Sequence, residues 1–231
     1  MRNKKSPRNK NKPKTKIFIV DDHPLVSEGL ARLLNLESDL TVVGQAATVH
    51  DASKTIPALK PDLAIIDIAL PDGSGIDLIK DMKRRSIKCP FLVLSMHDES
   101  LYAERALRAG AKGYIMKHEV SREILKAIHR ILDGNIYVSE KMGFQMLEKV
   151  SGNGRRNATK DGPIETLSDR ELQVFQMIGR GRGTRQIAGE LNVSVKTVET
   201  YRANIKNKMD LKNATELVRH AVEWAQRNRL G

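Results

Sequence analysis

Several residues able to handle a phosphoryl group stand at the ends of short apolar runs. Asp21 and Asp22 close KIFIVDD, Asp67 closes LAIID, Ser95 closes FLVLS, and Lys117 follows KGYIM. Carboxylates brought into one pocket repel one another and raise their own pKa values unless a cation sits among them. Hard oxygen ligands at a phosphate-handling site suit Mg2+. With such an ion present, one carboxylate can act as nucleophile toward a phosphoryl donor. The ion and Lys117 would neutralise the charge developing on the phosphoryl oxygens, and Ser95 would hydrogen-bond them. Singly, each residue has an ordinary explanation, since Asp is common as a turn former or helix N-cap. Their conjunction points to chemistry.

Convergence requires a particular scaffold. From Lys16 the chain alternates apolar runs with amphipathic stretches: KIFIV, a helix from Pro24 to Leu36, LTVVGQA, a helix near Asp51 to Leu59, LAIID, a helix from Gly75 to Arg85, FLVLS, a helix from Ser100 to Ala109, KGYIM and a helix from Ser121 to Leu132. Five strands each followed by a helix predict an α/β domain with a parallel sheet, because parallel strands need long crossovers that cover both faces. Ligands of such sheets bind beyond the carboxyl ends of the strands. A flavodoxin-like order 2-1-3-4-5 places strands 1, 3 and 4 side by side, with strand 5 next to strand 4, so the five side chains can meet.

The blocks IVDDHP, IIDIALPDGSG, LVLSMH and GYIMK resemble those of response-regulator receiver domains over most of residues 16–133. The resemblance implies that Asp67 is the phosphoacceptor, Asp21 and Asp22 the metal-binding pair, Ser95 the switch hydroxyl, Tyr114 the aromatic switch and Lys117 the phosphate-contacting lysine. The backbone carbonyl of Ala69 is implied as a further Mg2+ ligand. His118 stands where many receivers have proline. A haloacid-dehalogenase-type phosphatase also forms an aspartyl-phosphate, but that family carries a second acid two residues after its nucleophile, where this chain has Ala69.

After Asp133 the alternation stops. Residues 139–150 can form a short helix, and SGNGRRNATKDGP has linker composition. Beyond it only helical periodicity appears: Ser168 to about Ile178, a Gly-rich turn over 179–183, Thr184 to Leu191, a turn at Asn192 and Val193, and a longer helix from Ser194. Ser168 with Glu171, and Asn213 with Glu216, have capping-box form. Two helices joined by so short a turn make a helix-turn-helix, whose second helix enters the major groove. Val195, Val198, Ile205 and Met209 form the expected core stripe of that helix, leaving Lys196, Glu199, Thr200, Ala203, Lys206 and Asn207 outward. Thr197 joins them as a candidate DNA contact. Arg202 and Lys206 suit phosphates, which basic side chains bind without regard to sequence. Leu167 to Glu171, Gly181 to Ala188 and Ser194 to Val198 resemble LuxR/NarL (FixJ)-type domains over about residues 165–225, departing at Tyr201, where histidine is frequent. That resemblance implies a homodimer on DNA, partly through the last helix.

The expected organisation is a disordered basic tail over 1–15, a receiver over 16–133, a linker with a possible short helix over 134–164, and a DNA-binding domain over 165–231. Residues 17–140 hold 15 basic and 18 acidic side chains, against 17 and 10 in residues 141–231, so a polyanion should meet the C-terminal part. The single cysteine, Cys89, excludes an intrachain disulfide and reads as packing. The absence of an 18-residue apolar run or a signal peptide predicts a cytoplasmic chain with no membrane partner. The reading is a regulator rather than an enzyme, phosphorylated by a sensor histidine kinase or a small phosphodonor and acting on double-stranded DNA. A module that binds DNA constitutively is the alternative.

Overall fold

A computed structural model describes residues 13–96, 99–150 and 162–229. The expected tail lies largely outside the described residues, as does the central part of the linker.

Strands β1 (Thr15–Val20), β2 (Leu40–Ala46), β3 (Leu63–Asp67), β6 (Phe91–Ser95) and β7 (Gly113–Met116) form one parallel sheet in the order β2-β1-β3-β6-β7. This is the expected 2-1-3-4-5, because β4 (Ala69–Leu70) and β5 (Gly73–Ser74) form a separate antiparallel hairpin just after β3. The hairpin is too short to show as an apolar run and was not expected. The helices are α1 (Pro24–Asn35), α2 (Val49–Leu59), α3 (Gly75–Arg84), α4 (Glu99–Ala109) and α5 (Val120–Leu132).

Successive strand residues point to opposite faces, and the sheet is apolar on both. Ile17, Ile19, Ile65, Leu92 and Ile115 meet Leu30 and Leu34 of α1 and Ile124 and Ile128 of α5. Phe18, Val20, Ile66, Val93 and Tyr114 meet Ile56, Ile79, Tyr102 and Ala106 on the other side. Cys89 belongs to this second layer, and burial pushes its thiol up to about 12, as suits a packing residue.

Gly75 starts α3 against the strand it follows. A β-carbon there would lie 2.0 Å from the Asp67 carbonyl oxygen, so only glycine lets the helix begin so close to β3.

Helix α6 (Glu140–Val150) follows the receiver and leaves Phe144 and Leu147 exposed. The C-terminal part contains α7 (Asp169–Gly179), α8 (Thr184–Glu190), α9 (Val195–Lys208) and α10 (Ala214–Arg229). Ser168 and Glu171 make the complete capping box at α7. At α10 only half forms: Asn213 Oδ1 accepts the Glu216 N–H, while the Glu216 carboxylate accepts the N–H of Lys212. Asn192 makes the left-handed turn between α8 and α9 with φ 51°. Val198 and Ile205 pack with Leu172, Phe175, Leu217 and Trp224. Val195, expected in the core stripe, is instead 40% exposed. It is the first residue of α9, where the helix has not yet turned over the underlying core.

Candidate phosphorylation site and nucleic-acid interface

The parallel register aligns the strand ends: Val20 pairs with Ile66, Asp67 with Leu94, and Ser95 with Met116. The residues just beyond or at these ends therefore gather in one crevice. Asp21, Asp67 and Ser95 are buried. Lys117 Nζ lies 2.6 Å from Asp67 Oδ2 and 2.7 Å from Asp21 Oδ2, bridging the two carboxylates. The other oxygen of Asp67, Oδ1, accepts the Ala69 N–H at 3.3 Å.

Burial pushes the Asp67 carboxyl up to about 6 against the opposing pull of Lys117. Burial pulls Lys117 down, but the Asp67 and Asp21 charges outweigh it and hold its ammonium above the ordinary value. Three carboxylates around one ammonium leave an excess of negative charge, the condition that favours a cation.

Ligand atoms of Asp21, Asp22, His23 and Asp67 all lie within 4.8 Å of one another. His23 is the addition. Its Nδ1 stands 2.9 Å from Asp22 Oδ1 and 3.1 Å from Asp21 Oδ1, and its N–H donates to Asp21 Oδ1 at 2.9 Å. Its place directly after the acidic pair is a sequence signal that the motif reading did not use.

Tyr114 lies within the sheet's second layer at 1% exposure, on the strand that leads to Lys117. Lys117 and His118 begin a short 3-10 turn leading into α5.

The C-terminal domain docks on the receiver beside this crevice. Ser74 Oγ donates to Asp169 Oδ2 at 3.3 Å, and Tyr102 Oη donates to Gln176 Oε1 at 3.4 Å. Arg105 donates to the carbonyls of Leu167 at 2.7 Å and Ile164 at 2.9 Å, and lies 3.4 Å from Asp169. Arg170 donates through Nη2 to the carbonyls of Leu70 and Gly73, the latter at 3.0 Å. A cavity of about 580 Å3 lies at this junction between α3, α4, α7 and Trp224 of α10. None of these contacts was foreseen, because each joins residues some 59 to 100 positions apart.

On α9 the residues Lys196, Glu199, Thr200, Ala203 and Asn207 are exposed in the docked chain, while Thr197, Arg202 and Lys206 are half-buried. Ser194 caps the helix by accepting the Thr197 N–H, and its hydroxyl lies 2.8 Å from that of Thr197. Thr200 Oγ1 donates to the Lys196 carbonyl. Among the described residues no helix is long and apolar enough to cross a membrane.

Comparison with known proteins agrees with this geometry. Residues 17–129 match the response regulator receiver domain, and residues 165–221 match the bacterial regulatory proteins of the luxR family. The chain is 36% identical over 210 residues to the oxygen regulatory protein NreC of Staphylococcus aureus, covering 90% of this chain and 97% of that protein. A LuxR-family two-component response regulator from an Aurantimonas species shares 31% identity, covers 60% of this chain and 99% of its own, and superimposes with a TM-score of 0.56. RcsB of Salmonella enterica serovar Typhimurium, bound to promoter rprA in the presence of phosphomimetic BeF3-, shares 25% identity over 90% of this chain and 98% of that one, with a TM-score of 0.57. The chain therefore belongs to the two-component response regulators and joins a receiver to a LuxR-type helix-turn-helix that binds DNA and controls transcription.

Proposed function

We propose that Asp67 is the phosphoacceptor through which this regulator is controlled. The observation that carries the reading is the single ammonium of Lys117 bridging Asp67 and Asp21 within an acidic, largely buried crevice. An Asp67 oxygen forms the new O–P bond as the donor's P–N bond, in a histidine kinase, or P–O bond, in a small phosphodonor, breaks and the electron pair leaves with the donor. Lys117 and Ser95 hold the charge gathering on the phosphoryl oxygens. Asp21, Asp22, Asp67 and the Ala69 carbonyl would hold Mg2+, which their hard oxygen donors fit, and the ion would supply charge neutralisation there.

Tyr114 is the proposed readout, carried on β7 beside Tyr102, whose hydroxyl reaches α7. Lys196, Thr197, Glu199, Thr200 and Ala203 are the proposed base-facing group, with Arg202 and Lys206 on phosphates. A homodimer on two half-sites is the proposed assembly and the cytoplasm the proposed location, which a DNA partner supports. The proposed domain limits remain 16–133 and 165–231, joined by 134–164.

One observation favours constitutive binding as a second reading: Lys196, Glu199, Thr200 and Ala203 of α9 stay exposed while the domains are docked. Both readings meet in one experiment. Wild type and Asp67→Asn are incubated with Mg2+ and acetyl phosphate, then measured for mass and for affinity to a selected duplex. Gain of one phosphoryl group with tighter binding in wild type alone supports gating, whereas equal affinity without phosphorylation supports the constitutive reading.

A further inference from the structure

The groove between α3 and α4 holds more chemistry than the docking contacts use. Both helices follow parallel strands, so they start beside the Asp67 crevice and run back toward the opposite end of the sheet. The cavity of about 580 Å3 lies along that groove and has two unlike ends. Ile76 and Leu101, from the first turns of the two helices, line the starting end. There the C-terminal domain comes over the groove, with Asp169 on Ser74 and Gln176 on Tyr102, and adds Leu167, Leu172 and Trp224 to the lining. Lys83, Arg84 and Arg108, from the last turns, line the other end.

Cations in the last turn of a helix complement its dipole, and most of those here also have carboxylate partners. Arg84 pairs with Asp81, Arg108 with Glu104 and Lys80 with Asp77, while Arg105 is engaged by Asp169 and two backbone carbonyls. Lys83 is different. Among the described residues it joins no salt bridge, and its ammonium stands 5.8 Å from the centre of the Phe91 ring. Its stem is seated on Gly110, just past α4, where a β-carbon would come within 2.8 Å of Cε and 2.9 Å of Cγ, and where φ is 109°. Glycine at that corner lets a lysine of α3 lie across the end of α4. Its charge is thereby held, without a carboxylate, at the cationic end of the cavity.

We propose that this cavity is a binding site for a small organic anion with an aromatic body. Its acidic head sits at Lys83, beside Arg84 and Arg108, and its body lies against Ile76, Leu101, Leu172 and Trp224. Cavities of a few hundred Å3 that combine apolar walls with a few convergent polar groups are the usual form of a small-molecule site. A carboxylate, sulfonate or phosphate head meets Lys83 without displacing an existing ion pair, whereas a neutral ligand forgoes that contact and a cation is repelled. The body touches side chains of both domains, so a bound ligand favours the docked arrangement, which brings the two walls together. The site goes beyond phosphoryl transfer and does not depend on the role of Asp67.

The test uses the full chain and two fluorescent probes of similar shape, the anion anilinonaphthalenesulfonate and the neutral N-phenylnaphthylamine, which lacks the sulfonate. Binding is read from probe emission and from quenching of Trp224, the one tryptophan of the chain. Wild type should bind a single sulfonate probe saturably, and more tightly than the neutral one. Lys83→Ala should weaken the sulfonate about tenfold, the scale of one charge-assisted hydrogen bond. Glu165→Gln, which removes an exposed acid from the opposite wall, should tighten it about threefold. Neither substitution should change the affinity for the neutral probe. Phe144→Ser controls for adsorption on the exposed apolar surface of α6 and should change neither affinity. Thermal melts verify folding, and Lys83→Gln replaces Lys83→Ala in the comparison if the latter does not fold. Unsaturable binding in wild type, a sulfonate affinity unchanged in the Lys83 variant or in Glu165→Gln, or loss of binding in Phe144→Ser overturns the inference.

Discussion

Asp67 bears a carboxyl group held near 6, where an ordinary aspartate titrates near 3.8. Between those values the folded chain retains a proton that the unfolded chain has released. The contribution of Asp67 to stability therefore falls as pH rises through that window and is constant above it. The shift corresponds to at most about 3 kcal/mol of destabilisation at neutral pH. Asp67→Asn removes the buried charge and leaves Lys117 paired with Asp21. In a chelator, the variant should melt several degrees above wild type at pH 7.5, at about 2–4 °C per kcal/mol. The difference should vanish near pH 4, and a variant that melts below wild type at pH 7.5 contradicts the account. At this scale the sequence was informative where residue type and strand end coincided, as for Asp21, Asp67, Ser95 and Lys117. It was silent on His23, whose role depends on two carboxylates turning toward one ring.

Helix α9 shows how far periodicity reaches at the scale of an element. The 3.6-residue repeat placed Val198 and Ile205 inside and left Lys196, Thr200 and Ala203 outside, as found. It failed at Val195, because a helix terminus lies beyond the surface that the helix covers. The hairpin of β4 and β5 was invisible for a related reason: two residues per strand carry no period. The division of labour along α9 is testable. Arg202→Ala should weaken binding to every duplex alike and lower the slope of log affinity against log salt by about 1, as expected for one lost phosphate contact. Lys196→Ala should cost about 1–3 kcal/mol on the preferred duplex and relax the preference at one base pair. Competition binding at three salt concentrations separates the two, and identical behaviour of the variants would undo the assignment.

Over the whole molecule, the apolar layer on one sheet face continues without interruption into the C-terminal domain, joining Ile76, Tyr102 and Ala106 to Leu167, Leu172 and Phe175. Domains linked by chain alone unfold independently, whereas a shared apolar layer couples them. Arg105 clamps this junction by donating to the carbonyls of Ile164 and Leu167, which sit just before α7; the Ile164 carbonyl also accepts the Leu167 N–H at 3.2 Å. Removing it takes the receiver's donor from both carbonyls and leaves Asp169, a buried carboxylate whose pKa burial already raises against the pull of Lys80 and Arg105, with the Ser74 hydroxyl and the more distant Lys80. Arg105→Ala should therefore split a single calorimetric transition into two and enlarge the radius of gyration. The emission of Trp224, the one tryptophan of the chain, should also shift because it lines the cavity between the domains. A variant with two transitions and unchanged labelling at Asp67 would mean that docking is held by Arg105 and does not affect phosphorylation. A single transition identical to that of wild type would mean that the apolar layer alone suffices to hold the domains together.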